Sequence, residues 1–105
     1  MRLSQRNLKK FELYKPDRQT DSANDPINVY DKPCAEFMGN LQPYSEDRAF
    51  KDYGIDLRYA YIVFTQDDAD FQELDRIGSG RPQYEIKVIQ QWNSYKRLLV
   101  EEVFL

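Results

Sequence analysis

Residues 57–66 read LRYAYIVFTQ, and this run decides the fold class. Successive side chains of an extended chain point to opposite faces. Leu57, Tyr59, Tyr61 and Val63 therefore share one face, and Ala60, Ile62 and Phe64 the other. Both faces are apolar, so the run reads as a strand buried on both sides, or one whose second side meets a partner.

Working outward, the same period recurs. KKFELYK at 9–15 puts Phe11 and Leu13 on one face, against Lys10, Glu12 and Tyr14, as a half-buried strand does. VYDKPCAEFMGNL at 29–41 is a second strand, bent at Pro33 or Gly39, since proline in a strand marks an edge or a bulge. Tyr84, Ile86 and Val88 mark a fourth and SYKRLLVEEV at 94–103 a fifth, with turns at Gly78-Ser79-Gly80 and Asn93-Ser94. The polar segment 16–28, PDRQTDSANDPIN, is expected to be a flexible loop, because it has too little apolar surface to offset the entropy of ordering. The expected fold is mainly β: a small antiparallel barrel or sandwich.

One stretch breaks the alternation. LQPYSEDRAFKDYGID at 41–56 separates the second and third expected strands. It reads as an inserted loop or short helix over 43–56, with Ser45 as N-cap, Glu46 and Asp47 in the first turn, and Ala49, Phe50 and Tyr53 along one side.

A chain of 105 residues is expected to form one domain, 1–105, whose core buries roughly two-thirds of the unfolded surface. Eight Tyr against six Phe suit half-buried faces and protein interfaces. The net charge of −3 supplies no general pull toward nucleic acid or anionic membrane. No apolar run approaches the ~20 residues that span a bilayer, and the basic start MRLSQRNL lacks the apolar core of a secretory signal. Cytoplasmic synthesis is the expectation, with residues 1–8 as a short basic turn or flexible arm.

The chemistry points away from catalysis. With no His, the usual base at neutral pH is absent, as are the Ser–His and Cys–His nucleophile pairs. The single Cys34 excludes an internal disulfide and is expected to be a buried, inert thiol. The acidic run Asp67, Asp68, Asp70, Glu73, Asp75 lacks the glycine that a calcium loop needs at its sixth position, where Glu73 stands, so it reads as a solvated loop. Gly78-Ser79-Gly80 is a hairpin turn rather than a phosphate cradle, lacking a third glycine and a following helix. No enzymatic activity, metal or cofactor is expected. Aromatics interleaved with bases, in RYAYIVF and QWNSYKR, keep a nucleic-acid-binding β-barrel among the readings.

Taken in order, AEFMGNLQPYSEDRAFKDYGIDLRYAYIVF and LDRIGSGRPQYEIKVIQQWNSYKRLLVEE resemble the head-closure, or stopper, proteins of long-tailed bacteriophages, over about residues 35–103. A strand runs into a Pro-Ser-acidic segment, an insert with glycine follows, then an aromatic-rich strand, a Gly turn, a Tyr-Glu-Ile strand and a Leu-rich last strand. The 16–28 loop and SGRPQ depart from the family's pattern. The resemblance implies a virion protein of the phage neck, forming a ring between portal or adaptor and tail that closes the head, retains packaged DNA and docks the tail. It implies a homo-oligomer, six- or twelve-fold, with DNA passing through its channel without sequence recognition and no membrane contact. By the same resemblance Ser45, Glu46, Asp47, Arg48, Lys51, Asp52 and Tyr53 face the channel. Tyr59, Tyr61, Val63, Tyr84, Trp92 and Tyr95 are the expected subunit-interface residues. A tail-terminator or tail-completion ring protein is the neighbouring alternative.

Overall fold

The computed structural model describes residues 8–30, 32–44, 51, 54, 59–92 and 94–103. Eight strands are formed among them: β1 (Lys9–Tyr14), β2 (Asp17–Thr20), β3 (Pro26–Val29), β4 (Pro33–Pro43), β5 (Ala60–Thr65), β6 (Arg76–Gly78), β7 (Tyr84–Gln91) and β8 (Lys96–Glu102). Six of them close into an antiparallel barrel in the order β1-β4-β5-β8-β7-β6, and β2 and β3 form a separate two-stranded ribbon. The fold is mainly β, a small closed barrel. Of the helix expected over 45–53 only Lys51 is among the described residues; the terminal arm up to residue 7, Leu57 and Asn93 lie outside them.

Period-2 alternation fills the barrel. Phe11 and Leu13 from β1, Phe37 from β4, Val63 from β5, Ile86 from β7, and Leu98 and Val100 from β8 meet inside, all at or below 4% exposure. Gly39 lets β4 pass close to this cluster: a Cβ there would lie 2.9 Å from Val63 Cγ1 and 3.3 Å from the Phe37 ring. Phe71, from the loop after β5, packs edge-on against Phe37 with centroids 4.8 Å apart, and Phe37 stacks on Phe11 at 5.5 Å.

The outer face of β5 is covered as well. Ala60 and Ile62 join Tyr44 and Leu99 in a second buried cluster, against which Phe64 and Val88 pack. Of the two sequence readings for this strand, burial on both sides within the chain is the one observed for Ile62, which is 3% exposed.

Two bulges retune the pattern. Between Leu13 and Tyr14 the β1–β4 register slips, Leu13 facing Ala35 and Tyr14 facing Pro33, so Cys34 is the extra residue. Cys34 is consequently exposed, not the buried thiol expected. In β7 the register shifts between Ile86 and Val88, which sends Val88 to the outer cluster and Ile89 to the inner one.

The segment 16–28 is a hairpin, not a structureless loop. Its turn is specified locally: Asp21 Oδ1 accepts hydrogen bonds from the backbone N–H groups of Ala23 (2.8 Å) and Asp25 (2.9 Å), and Asn24 takes the left-handed conformation at φ 63°. Barrel closure also uses a strand that alternation does not reveal. Three-residue β6 pairs with β1 over Glu12–Tyr14 and with β7 at Glu85 and Tyr84.

The acidic run is only partly solvated. Asp68 and Asp70 are exposed, but the Asp75 side chain is 2% exposed and binds Lys15 Nζ through Oδ2, which also accepts from Gln72 N at 2.9 Å. Asp67 Oδ2 accepts from Met38 N at 2.7 Å. Both carboxylates pin the 66–75 loop to the barrel.

Candidate functional site

The insert leaves and re-enters the barrel at one rim. Pro43, ending β4, is paired with Tyr61 near the start of β5, and Tyr44 N donates to Ala60 O at 3.1 Å. Both feet of the insert are thereby fixed side by side. Tyr44 is anchored in the outer cluster at 8% exposure, and Tyr59 turns the chain back in the left-handed region at φ 54°. Glu102 N donates to Tyr59 O at 3.2 Å, which ties the returning foot to β8. Of the expected channel-facing residues, Lys51 is exposed; Ser45, Glu46, Asp47, Arg48, Asp52 and Tyr53 lie outside the described residues. Gly54 adopts φ 68°, a conformation in which a Cβ is strained.

Tyr61 and Tyr84 belong to the same rim. Their rings meet edge-on at 5.3 Å and 69°, each half-buried. Burial raises the Tyr84 phenol above its ordinary 10.0, with a smaller push from the Glu102 carboxylate and an opposing pull from Arg81. Tyr84 is therefore a neutral hydrogen-bonding group throughout the physiological range. Tyr59 adds an exposed ring at 57%.

The opposite end of the barrel carries a different surface. There β5 ends at Thr65, opposite Lys96, and the β7–β8 connection begins after Gln91, also paired with Lys96. Trp92 N donates to Tyr95 O at 2.8 Å, which holds the two rings nearly parallel, 6.3 Å apart at 12°. Tyr95 in turn leans on Phe64 at 6.0 Å, and the Arg97 guanidinium lies 5.7 Å from the Phe64 ring centroid. Trp92 remains 47% exposed, so the stack is a platform rather than core. Beside it lies an open cavity of about 220 Å³ lined by polar groups including Gln66, Asp67, Asp68, Gln91 and Lys96. Two of those groups are carboxylates, and Lys96 Nζ lies 4.0 Å from Asp68 Oδ1.

The six expected interface residues thus divide. Tyr59, Tyr61 and Tyr84 share the insert rim, and Trp92 and Tyr95 share the far end. Val63 is a correction: at 0% exposure inside the barrel it has no surface to present to another subunit. Phe64 was not singled out as a site residue, although its place on the outer face of LRYAYIVFTQ, level with the Trp92 turn, is the signal that identifies it. The wall between the ends is polar along β6–β7–β8, where Glu85 meets Lys87 (2.5 Å) and Arg76 (3.4 Å), and Lys87 reaches Glu101 at 3.8 Å. Among the described residues, no group of three His, Cys, Asp or Glu is placed to hold a metal ion.

No family model matches the chain, and no curated protein matches it. The chain is similar in fold to a solved structure, the solution structure of protein SF1141 from Shigella flexneri 2a, with a TM-score of 0.63 over 95% of this chain and 96% of that one. The two sequences are 12% identical, so the likeness is one of architecture.

Proposed function

We propose that this barrel is a structural subunit of a bacteriophage neck, assembling into a ring that closes the DNA-filled head and docks the tail. One observation carries the reading: the two ends of the barrel present unlike surfaces. One rim holds the feet of the charged insert together with Tyr59, Tyr61 and Tyr84. The other holds the exposed Trp92–Tyr95 platform. A subunit stacked between a head above and a tail below needs two chemically distinct docking ends on a rigid body, and a closed barrel supplies that rigidity. The sequence resemblance over about 35–103 adds to this, as does the absence of His from the whole chain, which removes the commonest route to acid–base catalysis.

On this reading the insert enters the channel. Its acidic groups Glu46, Asp47 and Asp52 repel passing phosphate, while Arg48 and Lys51 pair within the ring. The platform meets the tail.

The test uses DNA-filled heads that carry portal and adaptor but lack this chain. Adding the purified protein yields a ring at the portal vertex by electron microscopy, retained DNA and tail attachment. Deleting 45–53 leaves the ring but releases DNA, whereas Trp92→Ala keeps DNA and weakens tail joining. The single Trp also serves as a reporter: its emission shifts to the blue when tails bury it. Heads that keep DNA and join tails equally well without the chain overturn the proposal.

A further inference from the structure

Along the wall formed by β6, β7 and β8, cations are matched with carboxylates. Arg76 lies 3.4 Å from Glu85, Lys87 reaches Glu85 and Glu101, and Lys96 Nζ stands 4.0 Å from Asp68 Oδ1. Arg97 is the exception. Among the described residues no carboxylate forms an ion pair with its guanidinium. Its Nε is buried, with no hydrogen-bond acceptor among them either. Burying a donor of a charged group without an acceptor costs folding energy, so its presence points to an acceptor from outside the fold.

Arg97 is paired with Phe64 of β5 and Gln90 of β7, and directly opposed residues share a face of the sheet. Its guanidinium thereby ends an aromatic row. Trp92 stacks on Tyr95 at 6.3 Å, Tyr95 meets Phe64 at 6.0 Å, and the Phe64 ring lies 5.7 Å from Arg97. One end of the row is an exposed apolar ring, and the other is an unmatched cation.

We infer that Arg97 is the seat for a carboxylate side chain of the polypeptide that docks on the Trp92–Tyr95 platform. That this polypeptide belongs to the tail rests on the neck reading above. A guanidinium already half dehydrated by its own fold loses little more water on binding, and charge-assisted N–H···O bonds are roughly twice as strong as neutral ones. A nucleic-acid strand fits less well. Such strands are held by several cations along the phosphate backbone. Here the next cation on β8, Lys96, is turned to Ala69 O at 3.2 Å beside Asp68, and the chain's net charge is −3.

The test uses the full chain labelled with nitrogen-15, in which the Arg97 Nε–H gives its own resonance. The protein is titrated at constant ionic strength with N-acetylglutamate methylamide, with its glutamine counterpart and with decathymidylate. The expected result is a saturable downfield shift of that resonance with the glutamate probe and none with the glutamine probe. No shift, or equal shifts with both, overturns the seat. Saturation by decathymidylate ahead of the glutamate probe assigns the site to nucleic acid and overturns it too. Two variants separate a seat from an arginine that serves the fold. Arg97→Met removes an uncompensated cation but keeps a stem over Phe64, so it leaves Tm unchanged or raises it; a marked fall overturns the reading. On heads that carry portal and adaptor, Arg97→Met weakens tail joining roughly tenfold, as loss of one charge-assisted contact does, and Arg97→Lys weakens it less. Joining that ignores Arg97→Met overturns the seat while the neck reading stands. If the unmodified chain joins no tails, the neck reading falls and the titration alone decides the seat.

Discussion

Removing either partner of the Lys15–Asp75 pair tests how the 66–75 loop is held. The Asp75 side chain is 2% exposed, whereas that of Lys15 is 31% exposed. That asymmetry sets the order of the effects. Lys15→Met strands a carboxylate inside the protein with Gln72 N–H as its remaining donor among the described residues, and unpaired buried charges cost about 3–5 kcal/mol. Taking the low end because the pair reaches solvent on the lysine side gives about 3 kcal/mol. Asp75→Asn removes the charge but keeps an acceptor for Gln72 N–H, and its ammonium partner can turn to water, so the loss is that of one charge-assisted hydrogen bond, about 1.5 kcal/mol. For 105 residues the unfolding entropy is ~0.22 kcal/mol per kelvin. These losses therefore lower Tm by about 14 °C for Lys15→Met and about 7 °C for Asp75→Asn. The assay is thermal unfolding by calorimetry, with hydrogen exchange of the loop read in parallel. Phe71, which the loop inserts against Phe37, becomes mobile in both variants, so amides of 66–75 exchange faster than those of β5 and β8. A Lys15→Met loss below about 1 kcal/mol, or one smaller than that of Asp75→Asn, would falsify the reasoning that the buried carboxylate dominates the pair.

Leu98→Ala, deep in the inner cluster at 0% exposure, costs about 3 kcal/mol in chemical denaturation, from lost transfer energy and the cavity left behind. Gly78→Ala places a Cβ 1.9 Å from Arg81 O and 2.8 Å from Gln83 N, so the β6–β7 turn must move; a loss above about 2 kcal/mol is expected, measured by urea unfolding. Tyr14, Tyr30 and Tyr84 all have phenols raised above 10.0, each chiefly by burial. Their folded forms hold the proton more tightly than the unfolded chain does, so the associated stability is whole below pH 10.0 and is lost as pH climbs through the raised values. Tyr84→Phe flattens that alkaline fall in a pH series of denaturation midpoints, and an unchanged slope refutes the assignment.

Much of the barrel was legible because half-buried strands write their burial into an alternating pattern. Phe11 and Leu13, or Val63 against Ile62, could be sorted to faces from their spacing alone. The ribbon was not, because Asp17–Thr20 and Pro26–Val29 bury too little to leave an apolar period, although the Asp21 and Asn24 turn chemistry was present in the letters. Arg76–Gly78 is shorter than any period can resolve. Cys34 was assigned inside on residue type, and a one-residue bulge, invisible to composition, put it outside. The partnership of Lys15 with Asp75 spans sixty positions and follows only from closure of the barrel. For the candidate site, the aromatics were recognised but not their division: register, which sets Tyr61 beside Tyr84 and Trp92 beside Tyr95, is a property of strand pairing rather than of any one segment.

The short β6 makes the barrel a hoop with a buckle. β8 grips each of its neighbours along nearly its whole length, while β6 is fastened to β1 at three positions and to β7 at two. Ile77, wholly buried beneath this fastening, acts as its pin. When the wall yields it parts there first, as the least-paired unit does in local unfolding, and unrolls as a curved sheet still joined through β1, β4, β5, β8 and β7. A barrel built this way can widen its girth without surrendering its strand order, and the buckle, not the core, sets the load at which it does so.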